Sequence, residues 1–272
     1  MQSASDKAKL SAMKIVRFAA EGKIKYGILS GQSVQAIEGK PFRAIKPAES
    51  RYKLNQVRLL APCLPSKIVA MGLNYRKHAE EVKAALPKEP LIFLKPPTAV
   101  VGPEDNIVYP PSSTRIDYEG ELAMVIKKRA WQVSKEDALE YVLGYTCLND
   151  VSARDHQRDD VQWTRSKGFD TFAPIGPCIE TELDPDNVIV ETYLNGKRKQ
   201  HSSTNDLIFS VPEQISFISH VMTLLPGDVI TTGTPSGIGA MKPGDVVEIK
   251  IEHIGALKNY VVKDYGQANR KL

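Results

Sequence analysis

The chain is poor in cysteine and has no long apolar run, and each shortage excludes a class of protein. Its three cysteines, Cys63, Cys147 and Cys178, are odd in number and irregularly spaced. They offer neither a disulfide framework nor a zinc pattern, and they point to a reducing compartment. No apolar stretch approaches the ~18 residues that a membrane span needs. Residues 1–12 lack the apolar core of a secretory signal. They read as a frayed or processed arm before patterned sequence starts at Met13, and the cytoplasm is the expected location. Charge of one sign is scarce as well. The formal net charge is +4 and dispersed, with Lys7-Ala8-Lys9 and Arg270-Lys271 the terminal concentrations. A nucleic-acid binder would show a basic stripe or a readable motif, and neither is present. The slight positive excess favours small anionic substrates.

What is there describes an ordinary globular chain. Its 272 residues, 42% hydrophobic and 25% charged, suffice for a sizeable core in one large domain, or one large and one small. Residues 14–40 carry alternating and β-branched residues in three short runs, broken by Glu21-Gly22 and Ser30-Gly31-Gln32. Pro41, Pro47, Pro62 and Pro65 mark a connecting segment. This places a small β-rich N-terminal domain at 1–63 and the main domain at 64–272. There the sequence predicts a buried strand at 67–72, then a helix over 75–86 capped by Asn74 and stopped by Pro87. Tyr75, Ala79, Val82 and Leu86 form its apolar stripe. Strands follow at 91–94, 107–109, 118–127 and 145–149. Ser134-Lys-Glu-Asp137 opens a helix that Gly144 closes, and 151–170 reads as polar loop. Pro212 starts a helix, and strands at 229–232, 246–251 and 257–262 finish the chain. Strands outnumber helices without regular βαβ alternation. That predicts an α+β, mainly β fold, a mixed and largely antiparallel roll.

The run from Asp117 to Ile126 puts Glu119 and Glu121 two residues apart in a strand-forming segment. Alternation sets Glu119, Glu121, Ala123 and Val125 on one face, the two acids roughly 6.6 Å apart along the backbone. Tyr118, Leu122, Met124 and Ile126 take the other. A strand apolar on both faces is covered on both, and acids buried there repel and lose solvation unless protonated or met by a cation. Asp150, ending the next strand, is a third acid. Three carboxylates without His or Cys suit Mg²⁺ or Mn²⁺. The same spacing also fits surface residues on an edge strand.

His78 and Glu81 share a helix face. They form either a general base held by its carboxylate or a solvated ion pair. Arg154 could clamp a substrate carboxylate, Gln157 could donate to a carbonyl, and Lys167 could stabilise an oxyanion. A plain charged loop is the alternative, and His156, Arg158, Asp159 and Asp160 are assigned to it. The segment from Thr231 to Gly239 lacks the Gly-Lys-Ser/Thr ending of a P-loop. Its amides and the Thr234 hydroxyl could hold a carboxylate, or it is simply a turn. Trp131, Trp163, His201, His220 and His253 are assigned to packing or surface.

Five runs, Gly72–Glu81, Asp117–Leu122, Asn149–Asp155, Ser166–Phe172 and Leu225–Gly237, follow one another across about residues 67–262. In content and order they resemble the fumarylacetoacetate hydrolase family, its short-chain branch above all. The resemblance implies a β-roll catalytic domain, a homodimer, and a Mg²⁺ or Mn²⁺ site at Glu119, Glu121 and Asp150. It also implies a His78–Glu81 dyad on a lid-like helix that orders with ligand, and substrate contacts from Arg154, Gln157, Lys167 and Thr234. Long-chain members supply a further metal-binding aspartate just before the histidine. Residues 70–77 hold none, so water is expected in that position and fumarylacetoacetate is a poor candidate substrate.

The expected activity is hydrolytic C–C cleavage of an acylpyruvate-like β-diketo acid, a small 2-oxo acid. His78, oriented by Glu81, would deprotonate the attacking water, and Lys167 would stabilise the oxyanion. The leaving group is a pyruvate enolate, whose formation a divalent ion favours. The same enolate forms when oxaloacetate is decarboxylated or tautomerised, so decarboxylase and keto–enol tautomerase are close alternatives. A non-catalytic metal-binding protein is a remote one.

Overall fold

The computed structural model describes residues 12–263. All of the expected arm at 1–12 except Ala12, and the terminal basic clusters, lie outside the described residues. The strand Gly120–Ile126 is the spine of the molecule, with all seven residues buried. Its alternation feeds two cores. Leu122, Met124 and Ile126 pack with Tyr118 and Phe18 in one, while Ala123 and Val125 pack with Ile68, Leu148 and Val229 in the other. Coverage on both faces is therefore real, as the apolar run implies.

The spine pairs antiparallel with Val142–Asn149 on one side and with Val229–Thr231 on the other. Beyond Val229–Thr231 the sheet continues through Ile68–Met71, paired parallel, to Ile92–Lys95. In the other direction it runs through Ala173–Glu180 to the N-terminal strands Lys14–Ala20, Lys23–Ser30, Ser33–Ile37 and Pro47–Lys53. A five-stranded sheet, which includes Ile189–Leu194 and Val246–Ile251, packs against the spine. The fold is α+β and mainly β, mixed but mostly antiparallel, as predicted.

Gly120 marks a close approach of the two sheets. A Cβ there would collide with Thr192 Oγ1 and stand 3.1 Å from Ile249 Cδ1. Gly120→Ala is expected to lower stability by about 1–3 kcal/mol, as overpacked core sites do. Urea unfolding monitored by circular dichroism checks this, and an unchanged midpoint would contradict it.

Several local expectations need correction. The first helix, α1, spans only Arg76–Glu81, and Tyr75 rather than Asn74 stands at its N-cap. Asn74 turns inward, where Nδ2 donates to Thr232 O at 2.7 Å and Oδ1 accepts from Phe209 N at 2.9 Å. Tertiary partners thus outbid the cap. Val82 and Leu86 lie beyond the helix and are 46% and 49% exposed, so they do not extend its apolar stripe. Ser134 and Asp137 do bond at 2.9 Å, yet only a 3₁₀ turn, Ala138–Tyr141, follows. Gly144 sits inside the strand Val142–Asn149, where a side chain would strike the Glu180 carbonyl. The polar stretch 151–170 contains two short helices, α2 (Arg154–Asp159) and α3 (Thr164–Gly168). The connecting segment contains the strands Pro47–Lys53 and Arg58–Leu60. The last helix, α4 (Val211–Val221), forms as expected, with a capping box of Ser210 and Glu213. Among the described residues no helix is long and apolar enough to cross a membrane.

Candidate active site

Strand register brings the three acids together. Gly120 pairs with Asn149, so the next residues outward, Glu119 and Asp150, stand side by side. The Asp150 N–H donates to Glu119 O at 2.9 Å, and the Glu119 N–H to Asn149 Oδ1 at 2.9 Å. Glu121 shares the face of Glu119. One carboxylate oxygen from each acid lies within 4.8 Å of the others, and all three side chains are buried. The exposed edge-strand reading is excluded.

Cations reach two of the three acids. Lys167, from α3, donates to Glu119 Oε2 at 2.6 Å and Asp150 Oδ2 at 2.7 Å. Lys95, closing its strand, donates to Asp150 Oδ1 and to Val151 O. Arg154, at the start of α2, pairs with Glu119 Oε1 and donates to Gln157 Oε1 at 2.6 Å and Asp117 Oδ2 at 3.0 Å. Arg115 grips Asp117 from outside at 2.9 and 3.1 Å. Burial alone would push the Glu119 carboxyl up, but Arg154 and Lys167 outweigh it and hold the group well below the usual carboxylate range. For Lys95 burial wins, and the ammonium is lowered despite Asp150.

Glu121 is different. It accepts the Gly233 N–H at 3.0 Å, and among the described residues no lysine or arginine forms an ion pair with it. Burial, then the neighbouring Asp150 and Glu119, push its carboxyl well above the usual range. An oxygen-only triad with one uncompensated acid has the donor chemistry of a hard divalent cation site.

His78 Nδ1 lies 2.8 Å from Glu81 Oε2. With Nδ1–H donating there, Nε2 keeps the lone pair that a base needs. His78, 8% exposed, lines the same cavity of about 190 Å³ as Glu119, Glu121, Arg154, Gln157 and Lys167. It is a wall residue, not half of a solvated pair.

The Thr231–Gly239 loop does hold carboxylates, but they are the chain's own. The Gly233 amide donates to Glu121, and the Gly237 amide to Glu81 at 3.0 and 3.3 Å. Both glycines are left-handed, at φ +86° and +97°, and a side chain on Gly237 would strike the Lys199 carbonyl. Thr234 also lines the cavity. Its hydroxyl is engaged within the protein, donating to Gly120 O at 3.1 Å and accepting from Gln200 Nε2 at 2.8 Å. Gln157, its oxygen taken by Arg154, keeps its amide N–H groups for a ligand.

Sequence reasoning overlooks Lys95, Phe93 and the Asp117–Arg115 pair, and it misplaces two residues. Trp163 is part of the cavity wall. His156 is buried against Phe169, at 5.9 Å between ring centroids, rather than lying in an open charged loop. A lysine closing an apolar run directly before Pro96-Pro97 is the one signal that points to Lys95.

A mainly β scaffold with a buried acid triad, an adjacent His–Glu pair and four flanking cations has the make-up of an enzyme active site. The chain belongs to the fumarylacetoacetate hydrolase family: it matches the family described as Fumarylacetoacetate (FAA) hydrolase C-terminal over residues 67–262, and that described as Rv2993c-like, N-terminal over residues 13–62. The mitochondrial oxaloacetate tautomerase FAHD2B of Bos taurus is 44% identical over 221 residues, 76% of this chain and 70% of that protein. The structure of 5-carboxymethyl-2-hydroxymuconate delta-isomerase from Mycobacterium smegmatis is similar at a TM-score of 0.88 and 43% identity, covering 93% of this chain and 100% of that one. Maleylpyruvate hydrolase from Sphingobium sp., in complex with manganese (II) ion and pyruvate, has a TM-score of 0.77 at 30% identity, covering 92% and 99%. The relatives thus include a tautomerase, an isomerase and a hydrolase.

Proposed function

We propose that the chain is a divalent-metal-dependent enzyme that interconverts the keto and enol forms of a small 2-oxo dicarboxylic acid, with oxaloacetate as the test substrate. One observation carries the reading: His78, held by Glu81, stands on the wall of the cavity that Glu119 and Glu121 also line, with Asp150 clustered behind them. A proton shift beside a carbonyl needs a base and positive charge at the oxygen, and no attacking water. Glu119, Glu121 and Asp150 would hold Mg²⁺ or Mn²⁺. When bound, the ion polarises the 2-oxo group and makes the neighbouring C–H more acidic. His78 Nε2 takes that proton from C3 while Glu81 stabilises the imidazolium, and the same nitrogen delivers it to the 2-oxo oxygen to give the enol; the reverse transfers give the keto form. Lys167 supplies positive charge on the opposite side, and Gln157 and Arg154 orient the carboxylates.

Charge balance supports an anionic substrate. Asp117, Glu119, Glu121, Asp150 and, behind His78, Glu81 stand against Lys95, Arg115, Arg154 and Lys167, so a divalent ion would leave one positive charge in surplus for a substrate carboxylate to meet. The cavity, about 190 Å³, is below the ~300 Å³ floor of drug-sized sites and suits a four-carbon acid. Identity leans the same way, at 43–44% to the isomerase and tautomerase and 30% to the hydrolase.

The hydrolase neighbour favours a second reading, hydrolytic cleavage of an acylpyruvate, in which His78 activates water instead. Ultraviolet decay of freshly dissolved enol-oxaloacetate, run beside pyruvate release from acetylpyruvate, separates the two. The enzyme with magnesium is expected to speed the decay, and a chelator to abolish the effect. Pyruvate release from acetylpyruvate with an unaltered enol decay would replace the first reading by the second.

A further inference from the structure

The wall facing the acids carries an aromatic pair that the reaction above does not use. The Phe93 ring centroid is 5.0 Å from Lys167 Nζ and 5.3 Å from the Trp163 ring, the two rings edge-to-face at 76°. Beyond this pair lies a second cleft of about 260 Å³, lined by Phe93 and Trp163 themselves with Leu91, Ile92, Val161 and Gln162. None of these six side chains ionises. Leu91 is 48% exposed and Val161 95% exposed. Aliphatic side chains left in water singly are unremarkable, but grouped around one cleft they mark a binding surface. Phe93 and Trp163 line both spaces, so the cleft adjoins the catalytic cavity across this pair. The two together reach the ~300–1,000 Å³ range of small-molecule sites.

The pair is also tied to the chemistry. The Trp163 carbonyl accepts from the Lys167 N–H at 3.0 Å and from Ser166 Oγ at 2.9 Å. Trp163 therefore stands at the N-cap of α3, the helix that presents Lys167. An apolar group seated against Trp163 would lie one aromatic ring away from the charged floor.

We propose that this cleft is the tail subsite of the catalytic cavity. It receives an apolar or aryl substituent on the end of the substrate remote from the 2-oxo acid head, so the enzyme accepts substituted 2-oxo acids larger than oxaloacetate. The inference rests on the proposed function, because the head must be held by the acids and their cation.

Oxamate and N-phenyloxamate share an unreactive head that mimics a 2-oxo acid, and only the second carries a tail. With saturating magnesium, calorimetry is expected to find N-phenyloxamate bound about tenfold tighter or more, the gain that burying a phenyl ring gives. Val161→Asp, at a surface position that cannot disturb the core, is expected to remove most of that gain and leave oxamate affinity unchanged. If oxamate binds and the phenyl group adds nothing, the subsite is wrong while the proposed function stands. The subsite is equally wrong if Val161→Asp weakens both ligands alike. If neither ligand binds with magnesium present, the proposed function falls, and the subsite with it.

Discussion

Glu121→Gln is expected to raise the melting temperature of the metal-free protein and to remove most of its further rise on adding magnesium. The substitution keeps the side-chain shape, and the amide oxygen can still accept the Gly233 N–H. It deletes a charge that is buried beside two other acids and has no cationic partner of its own. The pH dependence follows from the direction of the shift. The folded Glu121 carboxyl lies well above its ordinary value of 4.5. Between 4.5 and that raised value the folded state binds the proton more tightly than the unfolded chain does. Stability from this group is therefore lost as pH rises through the window. In a chelator, the advantage of Glu121→Gln over the natural chain should widen upward from about pH 4.5 and level off above the raised value. Turnover should fall by on the order of 10²- to 10³-fold, the cost of losing a group that supports developing charge. Differential scanning fluorimetry with and without magnesium checks the stability claims. An undiminished magnesium shift in the variant would show that Glu121 is not a ligand.

Removing the base should act on rate alone. His78→Ala is expected to lower kcat by about 10²- to 10⁴-fold, the usual contribution of a positioned general base. Its magnesium-induced rise in melting temperature should match that of the natural chain. The hydrogen-bond partner of His78 is Glu81, and Glu81 is held by Gly237 rather than by the acid triad. Glu81→Gln should fall between the two, because imidazole remains but loses the carboxylate that orients it. If His78→Ala turned over normally, the proton shift would need another base. If it lost the magnesium response, the dyad and the triad would not be separable.

The acid triad and the dyad are legible in the sequence because each shows itself locally. Two glutamates within an apolar run and a histidine three residues from a glutamate need only strand and helix periods to be read. Lys95 is not legible in that way. A lysine at the end of Ile92-Phe93-Leu94 looks like a snorkelling strand terminus, and only the strand Val142–Asn149, fifty residues further on, brings Asp150 to it. Asp117 likewise opens a recognisable motif, but its bond to Arg154 depends on where α2 starts. The strands at 47–53 and 58–60 escape notice because prolines and charges interrupt them, while pairing to the N-terminal strands supplies the order. Asn74 fails as a cap for a related reason. A local hydrogen bond is weak competition for the buried Thr232 carbonyl and the Phe209 amide, both of which Asn74 satisfies.

The glycine loop has a wider consequence. Residues 233 and 237 stand four apart on one segment, and each amide pins a different acid, Glu121 of the buried triad and Glu81 behind His78. Any displacement of that segment would disturb the triad and the His78–Glu81 pair in the same stroke. The aromatic cleft has no part in this tether. On the proposed reading, substrate range can therefore drift at Val161 while the reactive geometry stays locked.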